Sequence, residues 1–236
     1  MTGIFHDMKA GSLFLLFLLI GIDVLVAQNS PKPDALQQYR IGREREAQNR
    51  LSEANRYYNE AIRICRSEID QKIATSDSYA VFTWALQRLK NYRDVIAWGE
   101  RGLALYPNDY RLNEIMGEAY FYLDDYEKSL ASMQRFVNAF VNAPRSNDRF
   151  STAYFFIGEI YRLEGKYQRA DIAYSVAVRL EPNIALWWYR LGVAREASGE
   201  YAPAQEAYER ALRVNPTYTE ATASIARIRQ RLNSQD

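Results

Sequence analysis

Residues 151–184, STAYFFIGEIYRLEGKYQRADIAYSVAVRLEPNI, and residues 185–218, ALWWYRLGVAREASGEYAPAQEAYERALRVNPTY, are two copies of one pattern. Laid over each other at a spacing of 34 residues, they pair Tyr154 with Trp188, Ile157 with Leu191 and Gly158 with Gly192. The register continues through Gly165 and Gly199, Tyr167 and Tyr201, Ala170 and Ala204, Tyr174 and Tyr208, Ala177 and Ala211, and Pro182 and Pro216. A repeat of this length is one supersecondary unit that buries its apolar face only by stacking on its neighbours.

The chemistry of the pattern predicts two antiparallel helices. Tyr154, Ile157 and Tyr161 recur at helical spacing and make one apolar stripe. Gly158, Ala170 and Ala177 are the small residues that let two helices approach, so a large side chain there overpacks the seam. Gly165 and Gly199 suit the left-handed residue that ends the first helix, Pro182 and Pro216 stop the second, and Pro203 fits a first helical turn.

This pattern resembles the tetratricopeptide repeat. The resemblance implies an all-α, right-handed solenoid of antiparallel helix pairs. Three further units follow in register. Residues 76–109 keep Tyr79, Phe82, Tyr92, Gly102 and Pro107, with Thr83 for the usual glycine and Gly99 for the usual aromatic. Residues 110–143 keep Met116, Gly117, Tyr120, Asp125 and Tyr126 but carry Ser129, Met133 and Phe136, which predicts atypical packing of the second helix. Residues 35–68 show Ile41, Gly42, Ala54, Tyr58 and Ala61, with Arg45 at the eleventh place and no terminating proline. Of the two seven-residue spacers, 69–75 reads as a longer second helix and 144–150, opening with Pro144, as a loop. Residues 219–236 read as a capping helix and tail, with Ala221, Ile225, Ile228 and Leu232 on one face, because a solenoid otherwise ends on an exposed apolar surface.

Residues 1–27 read as a signal peptide or N-terminal anchor and 28–34 as a linker. The apolar run 12–22, SLFLLFLLIGI, is shorter than the ~20 residues of a bilayer span. Ala27 before Gln28 offers a cleavage point, and the retained form would be a membrane tether through residues 12–27. A periplasmic or secreted location is therefore expected. The formal charge of +1 over 236 residues gives no domain-sized basic excess, which argues against nucleic acid as the main partner. The single histidine, His6, lies within the segment read as removable. Residues 28–236 therefore lack the imidazole that Ser-His or Cys-His pairs and His-containing zinc sites require, and neither metal nor cofactor is expected. A histidine-independent enzyme would have to rely on carboxylate pairs such as Asp124 and Asp125, which fall at an inter-helix turn where acids cap helices, or on Cys65. Cys65 sits late in an apolar helix and reads as a buried inert thiol, the alternative being an exposed thiol that cross-links two chains.

The family resemblance also implies a groove lined by the first helices, at the second, fifth, ninth, twelfth and thirteenth places of each unit. Those places hold Tyr39, Arg43 and Glu46; Trp84, Gln87 and Arg88; Arg111, Glu114, Glu118, Phe121 and Tyr122; Phe155, Glu159 and Arg162; and Leu186, Tyr189, Val193 and Glu196. A protein or peptide ligand is expected, with Trp84, Phe121, Tyr122, Phe155 and Tyr189 as the principal contacts, since large aromatic residues and arginine dominate binding energy. The clamp that some family members use for chaperone tails needs Lys and Asn where this chain has Tyr39 and Arg43, so that version is excluded. Residues 136–178, FVNAFVNAPRSNDRFSTAYFFIGEIYRLEGKYQRADIAYSVAV, look like repeats of the outer-membrane-protein assembly lipoproteins and the Tol-Pal-associated coordinator, though no lipidation cysteine adjoins the apolar run. The alternative expectation is a membrane-tethered structural subunit of an envelope complex.

Overall fold

In the computed structural model, the described residues are 34–140 and 149–233. The chain divides into two compact units, 1–34 and 35–236, and the second is described here. The signal or anchor reading of residues 1–27 lies outside the described residues. Among those described, no helix is long and apolar enough to cross a membrane.

Every repeat is a helix pair: α1 (Ala35–Ala47) with α2 (Leu51–Asp70), α3 (Ser76–Arg88) with α4 (Tyr92–Leu105), and α5 (Tyr110–Tyr122) with α6 (Tyr126–Phe140). Then follow α7 (Arg149–Leu163) with α8 (Tyr167–Leu180), α9 (Ala185–Ala197) with α10 (Tyr201–Val214), and the single helix α11 (Thr219–Asn233). Each second helix packs on its own first helix and on the next one, which gives the right-handed solenoid expected from the repeat. First helices also touch one another, α1 on α3, α3 on α5 and α5 on α7, so they form the inner layer of the array.

The turn between the paired helices has one solution in all five repeats. Its second residue is left-handed: Asn49 (φ 58°), Lys90 (φ 59°), Asp124 (φ 60°), Gly165 (φ 72°) and Gly199 (φ 84°). Glycine takes that conformation freely, whereas the other three accept a cost of roughly 1–2 kcal/mol that the flanking helices must outweigh. Asp125 caps α6 by accepting from the Lys128 amide at 3.2 Å, a structural task for the acidic pair at this turn.

The seam residues sit where their sizes require. Ala170, Tyr174 and Ala177 of α8 are buried, as are Ala204, Tyr208 and Ala211 of α10. A Cβ on Gly158 would come within 2.6 Å of the Tyr174 ring, and one on Gly192 within 2.5 Å of the Tyr208 ring. These glycines therefore mark the crossing points of their helix pairs, and Gly42 serves the Tyr58 ring in the first repeat. In α6 the atypical packing takes a definite form: Ser129 donates its hydroxyl to the Gly117 carbonyl at 2.7 Å, Met133 lies against Gly117, and Phe136 is buried against Tyr110 and Phe150.

Two boundaries differ in detail from the sequence reading. α2 does run long, 20 residues, but it stops at Asp70 and residues 71–75 form the turn. The spacer read as a loop through Phe150 ends earlier: Arg149 and Phe150 already belong to α7, because Phe150 packs on Phe136 and Tyr154, while residues 144–148 lie outside those described. The cap forms as expected, with Ala221, Ile225 and Ile228 buried against α10; the side chain of Leu232 lies outside the described set. Cys65 is fully buried, which matches the inert-thiol reading and leaves no exposed sulfur for cross-linking.

Candidate functional site

The inner layer carries a row of aromatic side chains. Tyr122, half exposed at the end of α5, stacks on Tyr92 with ring centroids 4.8 Å apart and planes 17° apart. Phe121 turns its edge to Phe156 at 5.0 Å. Phe155 stacks on Trp187 at 5.2 Å and 16°, and Tyr189 lies against Tyr208 and Tyr218 at 5.5 and 5.2 Å. Phe121, Phe155 and Tyr189 are partly buried, each with one face committed to the core. Trp84 is partly buried too; Tyr39 covers one side at 5.6 Å and the Arg111 guanidinium lies 5.8 Å from the ring centre.

Four of the expected groove residues, Tyr39, Glu114, Glu118 and Glu159, lie beneath the surface. Tyr39 is buried between Tyr58 and Trp84, where it closes the core of the first repeats. Glu118 is buried as well, accepting from Gln87 Nε2 at 2.5 Å and facing Arg149 at 3.3 Å. Of the arginines, Arg43 is exposed beside Glu46, whereas Arg88, which faces Glu46 at 3.8 Å, and Arg111, which bridges Asp109 and Asp77 at 2.7 Å each, are partly buried. Arg162 holds Glu159 at 2.9 Å.

Periodicity did not show how these charges are organised. Tyrosine hydroxyls from the second helices donate to glutamates of the first: Tyr58 to Glu46 at 2.7 Å, Tyr174 to Glu159 at 2.5 Å and Tyr208 to Glu196 at 2.8 Å. Burial first, and the adjacent carboxylate second, hold all three phenols well above the ordinary tyrosine range, so they remain donors. Arginines of the next first helix complete the set. Arg149 pairs with Glu114 and Glu118, Arg190 with Glu159 at 3.0 Å, and Arg227 grips both oxygens of Glu196 at 2.8 and 2.7 Å. The Arg227–Glu196 link spans 31 residues, one repeat less about one helical turn, and Arg149 reaches Glu118 over the same 31 residues although the spacer lengthens the repeat offset there. That recurrence of Glu and Arg is the signal by which Arg149, Arg190 and Arg227 could have been found.

Glu114 is pushed up to about 7, chiefly by burial, with Arg149 opposing the rise and Glu118 adding to it. Glu118 is also raised by its burial. Glu196 shifts the other way, held below the ordinary carboxylate range first by its hydrogen bonds from Arg227. Among the described residues, no group of His, Cys, Asp and Glu has an arrangement that could hold a metal ion.

Comparison with known proteins agrees with this geometry. Residues 151–184 and 185–218 each match a tetratricopeptide repeat family model. The chain thus carries tetratricopeptide repeats there, and its helix pairs build the solenoid of such proteins. No curated protein matches it by sequence. Among solved structures it is similar to MamA, at 18% identity and a TM-score of 0.60, with 76% of this chain and 97% of that one aligned. It is similar too to YrrB, described as a TPR protein with an unusual peptide-binding site, at 19% identity and 0.55, over 86% and 96% of the two chains. The APC/C hetero-tetramer Cut9-Hcn1 aligns at 17% identity and 0.58, over 83% of this chain and 43% of the matched one. At these identities the likeness is one of fold.

Proposed function

We propose that this chain is a non-catalytic scaffold of the bacterial periplasm or cell envelope, which holds a peptide or a partner protein along the inner face of its helix array. The observation that carries this reading is the row of aromatic residues on that face, Tyr122, Phe155 and Tyr189, each anchored by ring contacts and partly open to solvent. Rigid aromatic side chains give contact area at low entropic cost, and an anchored ring is already in its binding rotamer. The peptide-binding description of YrrB supports the same use of the fold. The absence of histidine from residues 28–236 supports a scaffold rather than acid–base chemistry. The envelope location rests on the apolar run 12–22 and the small residue Ala27.

Cross-linking in the native envelope, comparing the wild type with Trp84→Ala and Tyr122→Ala, tests the groove. Partner recovery should fall in both variants, and equal recovery from all three would remove the inner-face assignment. The apolar run also favours a second form, a subunit tethered through residues 12–27. Mass spectrometry of the mature N-terminus separates the two, Gln28 marking the released form and Met1 the tethered one.

A further inference from the structure

The ion pairs of the inner face are not symmetric towards solvent. On and after α5 the carboxylates lie beneath and the guanidiniums above. Glu114 and Glu118 are 3% and 7% exposed, whereas the side chain of Arg149 that covers them is 33% exposed. Glu159 is 8% exposed beneath Arg162 at 22% and Arg190 at 31%, and Glu196 is 15% exposed beneath Arg227 at 48%. Before α5 the order is lost, because Glu46 at 34% is no deeper than Arg88 at 27%, and Asp77 at 76% stands in the open beside Arg111 of α5, whose second partner Asp109 is 6% exposed. The whole chain is close to neutral, yet this stretch of its inner face shows a ligand mainly guanidinium edges.

We propose that the occupant of this face is an acidic peptide segment, whose side-chain carboxylates are received by Arg190 and Arg227 on α9 and the capping helix α11. This deepens the groove reading above and rests on it. A guanidinium has five N–H donors in a planar fork, and Glu196 accepts from only the Nε and Nη2 donors of Arg227. The same glutamate fixes the fork in place, so little side-chain entropy remains to be lost when a second carboxylate binds. Spacing sets the register of the ligand. Packed helices lie about 8–10 Å apart, and a polyproline II chain, with three residues per turn and about 3.1 Å per residue, brings every third side chain back to one face about 9 Å on, so acidic residues at every third position would meet successive arginines.

Fluorescence anisotropy on the full chain tests this with a labelled, C-terminally amidated peptide that carries Glu at every third position and Ser or Tyr between. A matched peptide with Gln for Glu should bind about tenfold more weakly, the equivalent of about 1.4 kcal/mol. Arg190→Gln and Arg227→Gln should each weaken the acidic peptide several-fold. Arg190→Gln leaves Glu159 with Tyr174 and Arg162, and Arg227→Gln leaves Glu196 with Tyr208, so both variants keep a partner for the buried acid, and a matching helical melt verifies the fold. Arg56→Gln, on the exposed surface of α2, should change nothing. Equal binding of the Gln peptide, or indifference to both arginine variants, would overturn the acidic ligand while leaving a peptide groove intact. So would a peptide library selected on the full chain whose binders show no acidic preference. A library yielding no binder sensitive to Tyr122→Ala would sink the groove itself. Tighter binding of a single-stranded oligonucleotide than of the acidic peptide would replace the proposal with a nucleic-acid site.

Discussion

The last two repeats and the two before them close their helix pairs differently. In residues 151–218 a tyrosine of the second helix, Tyr174 or Tyr208, fits a notch at Gly158 or Gly192 on the first, and its hydroxyl is tied to a glutamate of that same repeat. In 76–109 the notch has crossed over: the first helix carries Thr83, which bonds back to the Tyr79 and Ala80 carbonyls, and the second carries Gly99. Met116 of the following repeat fills that gap, close enough that a Cβ on Gly99 would meet its sulfur at 2.5 Å. In 110–143 the notch stays at Gly117, but Met133 replaces the tyrosine. What is preserved is the pairing of one bulky residue with one small one. The consequence is electrostatic: without a tyrosine hydroxyl in their own repeat, Glu114 and Glu118 draw on neighbouring repeats, both on Arg149 from the next and Glu118 also on Gln87 from the one before.

The comparison is broken most directly at Tyr174. Its removal as Tyr174→Ala should cost about 3–5 kcal/mol in chemical denaturation, since a buried ring leaves a cavity and Glu159 loses its hydroxyl donor while keeping Arg162 and Arg190. A loss below about 1 kcal/mol would mean that the tyrosine seam is no stiffer than the methionine one. A smaller effect sets the two carboxylate environments in opposition. Glu114 in the folded chain titrates at about 7, above its ordinary value of 4.5, so the native state holds its proton where the unfolded chain has released it. Its contribution, at most about 3 kcal/mol, is full below the ordinary value and is lost as pH rises through about 7. Glu196 is held below the ordinary range, and its contribution is present above that range and lost as pH falls. Urea unfolding at about pH 5 and about pH 7.5 should therefore show Glu114→Gln relieving part of the wild-type decline towards higher pH. Parallel slopes for wild type and variant would show that Arg149 fully compensates the burial.

The sequence made the fold legible because close packing limits which residues can meet at a helix crossing. Gly158 with Tyr174, the left-handed Gly165 and the terminating Pro182 each carry one steric demand, and together they fixed pairing, turn and length. The same demands met by other means were harder to read. Asn49, Lys90 and Asp124 take the left-handed turn without glycine, and Phe150 enters α7 because Phe136 receives it. The aromatic lining was legible from its places in the repeat, as Tyr122, Phe155 and Tyr189 show. The depth of each side chain was not: the same list of places held the buried Tyr39 and Glu118. Burial depends on what the next repeat supplies, and Arg149 comes from a stretch that a proline-led spacer disguised.

The finest test of the two seams adds a single methyl group to each. At Gly158 the new Cβ would stand 2.6 Å from two atoms of the Tyr174 ring, a ring closed in by α7 and held at its far end by Glu159, so neither partner can withdraw without breaking a buried hydrogen bond. Gly158→Ala should therefore destabilise by about 1–3 kcal/mol, even though alanine favours helix by roughly 1 kcal/mol. At Gly117 the nearest atoms are Cε, Cγ and Sδ of Met133, at 3.0 to 3.1 Å, and an unbranched thioether shifts by a few tenths of an ångström at little cost. There the helix preference of alanine should offset the crowding and leave stability within about 0.5 kcal/mol of wild type. Equal losses at the two sites in parallel urea titrations would show that the hydroxyl anchor adds no stiffness, and that the backbone spacing of the helices alone decides what each crossing tolerates.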